Sequence, residues 1–120
     1  MSTALRTLQK LRQIELDRCR VALGTSQRHE QEIKELLEAT RATQAKQLTD
    51  LKSLTSAGPI PVSMIRLRHE HLADLADQVG ELDAAILTAE RETQARIEVL
   101  VAAERQFKVA KKLQQRSNSN

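Results

Sequence analysis

Between Leu72 and Ala110 apolar residues recur in two columns at seven-residue spacing, and this pattern constrains the fold more tightly than anything else in the chain. One column holds Leu72, Val79, Ile86, Thr93, Leu100 and Phe107, and the other, three residues on, holds Leu75, Leu82, Ala89, Arg96, Ala103 and Ala110. Only Thr93 and Arg96 are polar. Alternation by three and four over more than five heptads predicts a long helix with a coiled-coil seam, because slight under-winding keeps such a stripe facing one partner helix. Composition agrees. Phe107 is the single aromatic, there are three Gly and two Pro, and the strong helix formers Ala, Leu, Glu, Gln, Lys and Arg dominate, so the expected shape is elongated rather than globular.

The first half carries a weaker version of the same stripe. It runs through Leu16, Cys19, Leu23, Ser26, Glu30, Ile33, Leu37, Thr40, Gln44, Gln47, Leu51 and Leu54, and its polar layers predict a first helix less stable than the second. Before Leu16 the leucines at 5, 8 and 11 stand three apart, which predicts a stutter in the supercoil. Ser2 or Thr3 is the expected cap of this helix, and Ser63 that of the second. Between them, Thr55 to Ser63 includes Gly58, Pro59 and Pro61, which end a helix and force extended geometry. The predicted architecture is all-α: helix one over about 3–54, a turn over about 55–62, helix two over about 63–115 and a frayed tail over 116–120, forming a single antiparallel coiled-coil hairpin. Two helices of about 50 residues at about 1.5 Å per residue match in length at roughly 75 Å, so a short turn lets both seams bury against each other.

Several function classes drop out. Cys19 is the only cysteine, so no intrachain disulfide supports the fold and the cytoplasm is the expected compartment. No stretch approaches the roughly 20 apolar residues of a membrane span. His29, His69 and His71 are the only histidines, and His69 and His71, two apart on a helix, do not share a face, so surface histidines are favoured over a metal site. Gly58 and Gly80 stand alone, with no phosphate-cradling loop around either. No catalytic residues, no cofactor, no metal and no small-molecule substrate are expected, and the chain is not read as an enzyme.

What remains is a surface. Residues 1–20 carry Arg6, Lys10, Arg12, Arg18 and Arg20 against Glu15 and Asp17, and residues 101–120 carry Arg105, Lys108, Lys111, Lys112 and Arg116 against Glu104. In a hairpin these stretches meet and make one basic pole. Apolar residues off both seams fall at the same end: Leu8, Leu11, Ile14 and Val21 in the first helix, Ile97, Val99, Val101, Val109 and Leu113 in the second. A helix apolar on more than one face needs more than one partner. A smaller apolar group, Met64, Ile65, Leu67, His71 and Leu72, follows the turn.

A Gln-, Arg- and Glu-rich, aromatic-poor hairpin with basic termini and a Gly/Pro turn near its middle resembles the stalk proteins of type III secretion, the FliJ family of the flagellum and the YscO/HrpO family of injectisomes. The short length leans toward the injectisome. Ser56-Ala57-Gly58 at the turn, the Met64-Ile65 start and the segment His71-Leu72-Ala73-Asp74-Leu75 are the local likeness, with His71 where an aromatic is expected. The resemblance implies a non-enzymatic stalk or escort protein at the cytoplasmic base of a membrane-embedded export apparatus. It implies three partners: a hexameric export ATPase at the terminal end, an export gate protein at the loop end, and secretion chaperones. The residues expected at the ATPase are Arg6, Leu8, Lys10, Leu11, Arg12, Val101, Lys108, Val109, Lys111 and Lys112; those expected at the gate are Met64, Leu67, His71 and Leu75. Two other readings compete. One is a scaffold that pairs two hairpins in a homodimeric four-helix bundle; the other, less favoured for want of stacking aromatics, is a basic nucleic-acid binder.

Overall fold

A computed structural model describes residues 3–119. Among them are two helices and no strand: α1, Thr3–Ser56, and α2, Val62–Ser119. They form the antiparallel hairpin that the paired seams predict. Every residue traced in the first stripe from Leu16 to Leu54 is buried or half-buried, and in the second stripe only Arg96 is exposed. The seams are therefore the core.

The connection is shorter than expected because both helices encroach on it. The last carbonyls of α1 are taken up by nearby hydroxyls: Thr55 Oγ1 donates to the carbonyls of Leu51 and Lys52 at 3.1 and 3.0 Å, and Ser56 Oγ to that of Ser53 at 3.1 Å. Of these acceptors only the Ser53 carbonyl belongs to the last four that a helix end leaves open, and the helix runs on to Ser56. Gly58 then adopts φ 130°, a region closed to residues with a Cβ. Ser63 does not cap α2. The carbonyl of Pro61 accepts from the amides of Met64 and Ile65 at 3.0 and 3.3 Å, which makes Pro61 the residue that starts the helix and puts Ser63 inside it. Thr3 is likewise already helical, and its carbonyl accepts from the Thr7 hydroxyl at 3.0 Å; Ser2, the other expected cap, lies outside the described residues. At the far end α2 stays helical from Arg116 to Ser119, where Ser119 Oγ donates to the Gln115 carbonyl at 2.7 Å. The frayed tail is not seen there, and Asn120 lies outside the described residues.

No stutter appears before Leu16. Leu5, Gln9 and Arg12 continue the seam at alternating spacings of four and three, each half-buried, while Leu11 is 53% exposed. Gln9 and Arg12 hold the register here together with Leu5, while Leu11 and Ile14 lie outside it in solvent.

The chain divides into two compact units, residues 1–29 with 89–120, and residues 30–88. Each is an antiparallel pair of helix segments. In the first, the terminal unit, the buried residues are mostly small: Leu16 and Ser26 on α1, Ala89, Thr93, Ala103 and Ala110 on α2. Arg12 Nη1 crosses between the helices to Gln106 Oε1 at 3.2 Å. In the second, the loop unit, the buried residues are Leu37, Thr40, Leu51 and Leu75, with Ile33, Leu54, Ile65, Leu72, Val79, Leu82 and Ile86 half-buried around them. Arg41 reaches Asp83 at 3.1 Å and Arg68 reaches Gln47 at 3.0 Å across this pair. Both members of the Arg41–Asp83 pair are about half exposed, and such a bridge contributes little to stability.

Candidate partner-binding surface

The terminal unit concentrates two features that rarely coincide without a partner. Within its sequence ranges stand thirteen Lys and Arg against six Asp and Glu, whereas the loop unit has six against ten. Exposed apolar residues outside the seams occur in both units, with Leu36, Leu48, Val62, Met64, Leu67 and Leu87 in the loop unit, and those expected near the termini remain in solvent in the terminal unit. Leu11, Ile14, Val21, Ile97, Val99, Val101, Val109 and Leu113 are all exposed, Val21 the most at 68%; only Leu8 is half-buried. A single exposed leucine is ordinary, but a contiguous group of this size marks a contact.

Their arrangement is ordered. On α1, Leu11, Ile14, Arg18 and Val21 follow the three-four spacing on the side away from the seam, and with Asp17 and Ala22 the last three of these line an open, largely apolar face. On α2, Val99, Ala102, Gln106, Val109 and Leu113 repeat the same spacing along one flank. That flank and the adjoining edge of α1 enclose three neighbouring hollows. The first, about 220 Å³, lies among Leu8, Arg12, Arg105, Gln106, Val109 and Ala110. The next, about 360 Å³, is formed by Glu15, Arg18, Cys19, Val99, Ala102, Ala103 and Gln106, and the third, about 190 Å³, by Arg18, Cys19, Ala22, Arg96 and Val99. Shared residues make them one groove. Cys19, expected in the seam, is half-buried at its floor. The opposite edge differs: Arg6, Gln9, Lys10 and Gln13 face Phe107 and Gln114 there, so it is mainly polar.

The residues expected at an ATPase contact thus fall in one unit, all exposed except Leu8 and Arg12, which are half-buried. Lys10, Lys108, Lys111 and Lys112 are exposed and form no ion pair among the described residues, and Arg6 is exposed. Leu11, Val101 and Val109 are exposed beside them. Arg12 is half-buried, paired to Glu15 at 3.0 Å and bonded to Gln106, so its guanidinium is committed within the hairpin. Of the loop-end residues, Met64, Leu67 and His71 are exposed, Leu67 at 66%. Leu75 is 5% exposed and belongs to the core, so it can act at the surface only by supporting its neighbours. The second arginine in the seam columns, Arg96, is turned out of the core into the groove, which the heptad pattern alone does not reveal.

Among the described residues no three His, Cys, Asp or Glu side chains gather to hold a metal ion, and no helix is long and apolar enough to cross a membrane. Neither a curated protein nor a solved structure matches the chain. The family model of the flagellar FliJ protein does match, over residues 1–120. With that match spanning the whole sequence and the hairpin it implies present, the chain belongs to the flagellar FliJ protein family, the non-enzymatic stalk components of type III flagellar export.

Proposed function

We propose that this hairpin is a stalk protein at the cytoplasmic base of a type III export apparatus, engaging a hexameric export ATPase through its terminal unit and reaching toward the export gate with its loop end. The observation that carries the reading is the coincidence of exposed apolar residues and excess positive charge in the terminal unit. A helix pair placed in a ring of like subunits can bias their conformations only through contacts that differ from one subunit to the next. Lys108, Lys111 and Lys112 supply charge for such contacts, with Lys10 and Arg6 from α1, and Leu11, Val101 and Val109 supply burial. At the loop end Met64, Leu67 and His71 form the surface for the gate, with Leu75 beneath them. The match to the flagellar family favours a flagellar over an injectisome apparatus, against the expectation drawn from length. Secretion chaperones are further partners on this reading.

Stimulation of the cognate export ATPase tests the proposal. Wild-type chain is expected to raise ATP hydrolysis by the hexamer, and the Lys108→Glu/Lys111→Glu/Lys112→Glu variant to lose at least about tenfold in apparent affinity, as the loss of three favourable and the gain of three unfavourable charge contacts implies. No stimulation by the wild-type chain would remove the mechanism. The open apolar face of Ile14 and Val21 supports one other reading, a scaffold in which two hairpins pair. A stable dimer in equilibrium sedimentation that Val21→Glu disperses would favour it.

A further inference from the structure

We infer that the groove between α1 and α2 of the terminal unit is a docking site for one amphipathic helix with acidic flanks, contributed by a partner protein. Its floor is made of small or apolar side chains, Ala22, Val99, Ala102 and Val109 among them, which lets a helix backbone approach closely. From the level of Leu8 to that of Ala22 it extends about 21 Å at about 1.5 Å per residue, room for about four helical turns. Such a helix would complete a three-helix bundle, the ordinary way in which a hairpin with a second apolar stripe buries it.

The rim selects the charge of the occupant. Arg18, Arg96 and Arg105 line the groove and none forms an ion pair among the described residues. The single carboxylate at the rim, Glu15, is held by Arg12 at 3.0 Å. Three uncommitted guanidinium groups along an apolar trough favour Glu and Asp on both sides of an incoming apolar stripe. A second copy of this chain suits the site poorly. Terminal unit against terminal unit sets two strongly basic surfaces together, and the large exposed apolar residues of the loop unit are either isolated, as Leu36, Leu48 and Leu87 are, or confined to the short run of Val62, Met64 and Leu67, which covers less than about two turns of a trough of about four.

The groove adjoins the ATPase contact proposed above, sharing Leu8, Arg12 and Val109 with it, and the experiment separates the groove from the lysines of the α2 tip. Two synthetic helices of about 18 residues, sharing one Leu/Ala stripe and flanked by Glu in one and by Lys in the other, are titrated by fluorescence anisotropy against the full chain. The Glu-flanked peptide is expected to bind at least tenfold more tightly than the Lys-flanked one. Ala102→Glu, at an exposed position on the groove floor, and Arg18→Glu/Arg105→Glu are each expected to weaken that binding at least tenfold with helicity by circular dichroism unchanged. Lys111→Glu/Lys112→Glu, aimed at the ATPase contact, is expected to change it less than threefold. Equal affinity for the two peptides, binding indifferent to Ala102→Glu, or a loss with Lys111→Glu/Lys112→Glu as large as with Arg18→Glu/Arg105→Glu would overturn the assignment. So would a dimer in sedimentation that Ala102→Glu disperses, or a single-stranded RNA that outcompetes the Glu-flanked peptide for the same site.

Discussion

Thr93 shows most directly how a single residue sets the stability of the seam. It is 8% exposed and its hydroxyl has no partner, whereas Thr40, also buried, donates to the Leu36 carbonyl at 2.8 Å. An unpaired buried hydroxyl costs about 1–3 kcal/mol. Thr93→Val keeps the branched shape and removes that cost, so the variant is expected to gain about 1 kcal/mol and melt a few degrees higher by circular dichroism. Thr40→Val is expected to gain nothing. The glycines divide in the same way. Gly80 is helical and a Cβ there would meet nothing within 4 Å, so Gly80→Ala is expected to stabilise by about 0.5–1 kcal/mol. At Gly58 there is also open space, but φ is 130°, and Gly58→Ala is expected to destabilise by at least about 1 kcal/mol from backbone strain alone. Urea titrations of the two variants should shift the midpoint in opposite directions. The sequence marked Gly58 as the helix breaker, since it can take positive φ past a helix end and Pro59 and Pro61 remove donors; it could not mark Pro61 as the residue whose carbonyl takes the first bond of α2, because that depends on where the carbonyl points.

At the scale of the elements, the seams were legible from spacing alone, and their residues from Leu16 to Leu54 and from Leu72 to Ala110 are the ones that fold inward, Arg96 excepted. The start of α1 was not. Leu5, Leu8 and Leu11 suggest a change of phase, yet Gln9 and Arg12 hold the line, because the aliphatic stem of Arg12 packs while its head bonds Glu15 and Gln106. The polar layers of the first stripe, Glu30, Thr40, Gln44 and Gln47 among them, also pointed to a weak first helix. Among the fully buried residues the contrast lies between the units instead: Leu37, Leu51 and Leu75 in the loop unit against Leu16 and three alanines in the terminal unit, where Leu23, Leu100 and Phe107 are only half-buried. Less apolar area removed from water means less stabilisation per turn, and the two strands of one seam share that deficit. Hydrogen exchange is therefore expected to be faster in residues 3–29 and 89–119 on both helices than in residues 33–54 and 65–86. Faster exchange along the whole of α1 than along the whole of α2 would contradict this. Truncation follows the same logic: Leu37→Ala or Leu75→Ala is expected to cost about 2–4 kcal/mol, and Leu11→Ala less than about 0.5 kcal/mol, since it is exposed.

For the whole molecule, charge and apolar surface divide between the units in the same sense. The terminal unit holds the positive excess and the longer uncovered stripes; the loop unit holds most of the fully buried leucines and the negative excess. The coincidence could be read from the sequence once the hairpin was assumed, because both termini then lie together. What required the structure was the distinction among basic residues: Arg12 committed to the hairpin, Arg18, Arg96 and Arg105 along a groove, Lys111 and Lys112 beyond it. If the terminal unit exchanges faster, as expected above, the part of the chain that is most basic and carries the longest exposed apolar stripes is suited to gain order on binding. Hydrogen exchange of the chain with and without the cognate export ATPase tests this directly. Protection on binding is expected to be confined to residues 3–29 and 89–119; protection centred on residues 60–75, or none in either unit, would contradict an ATPase contact through the terminal unit.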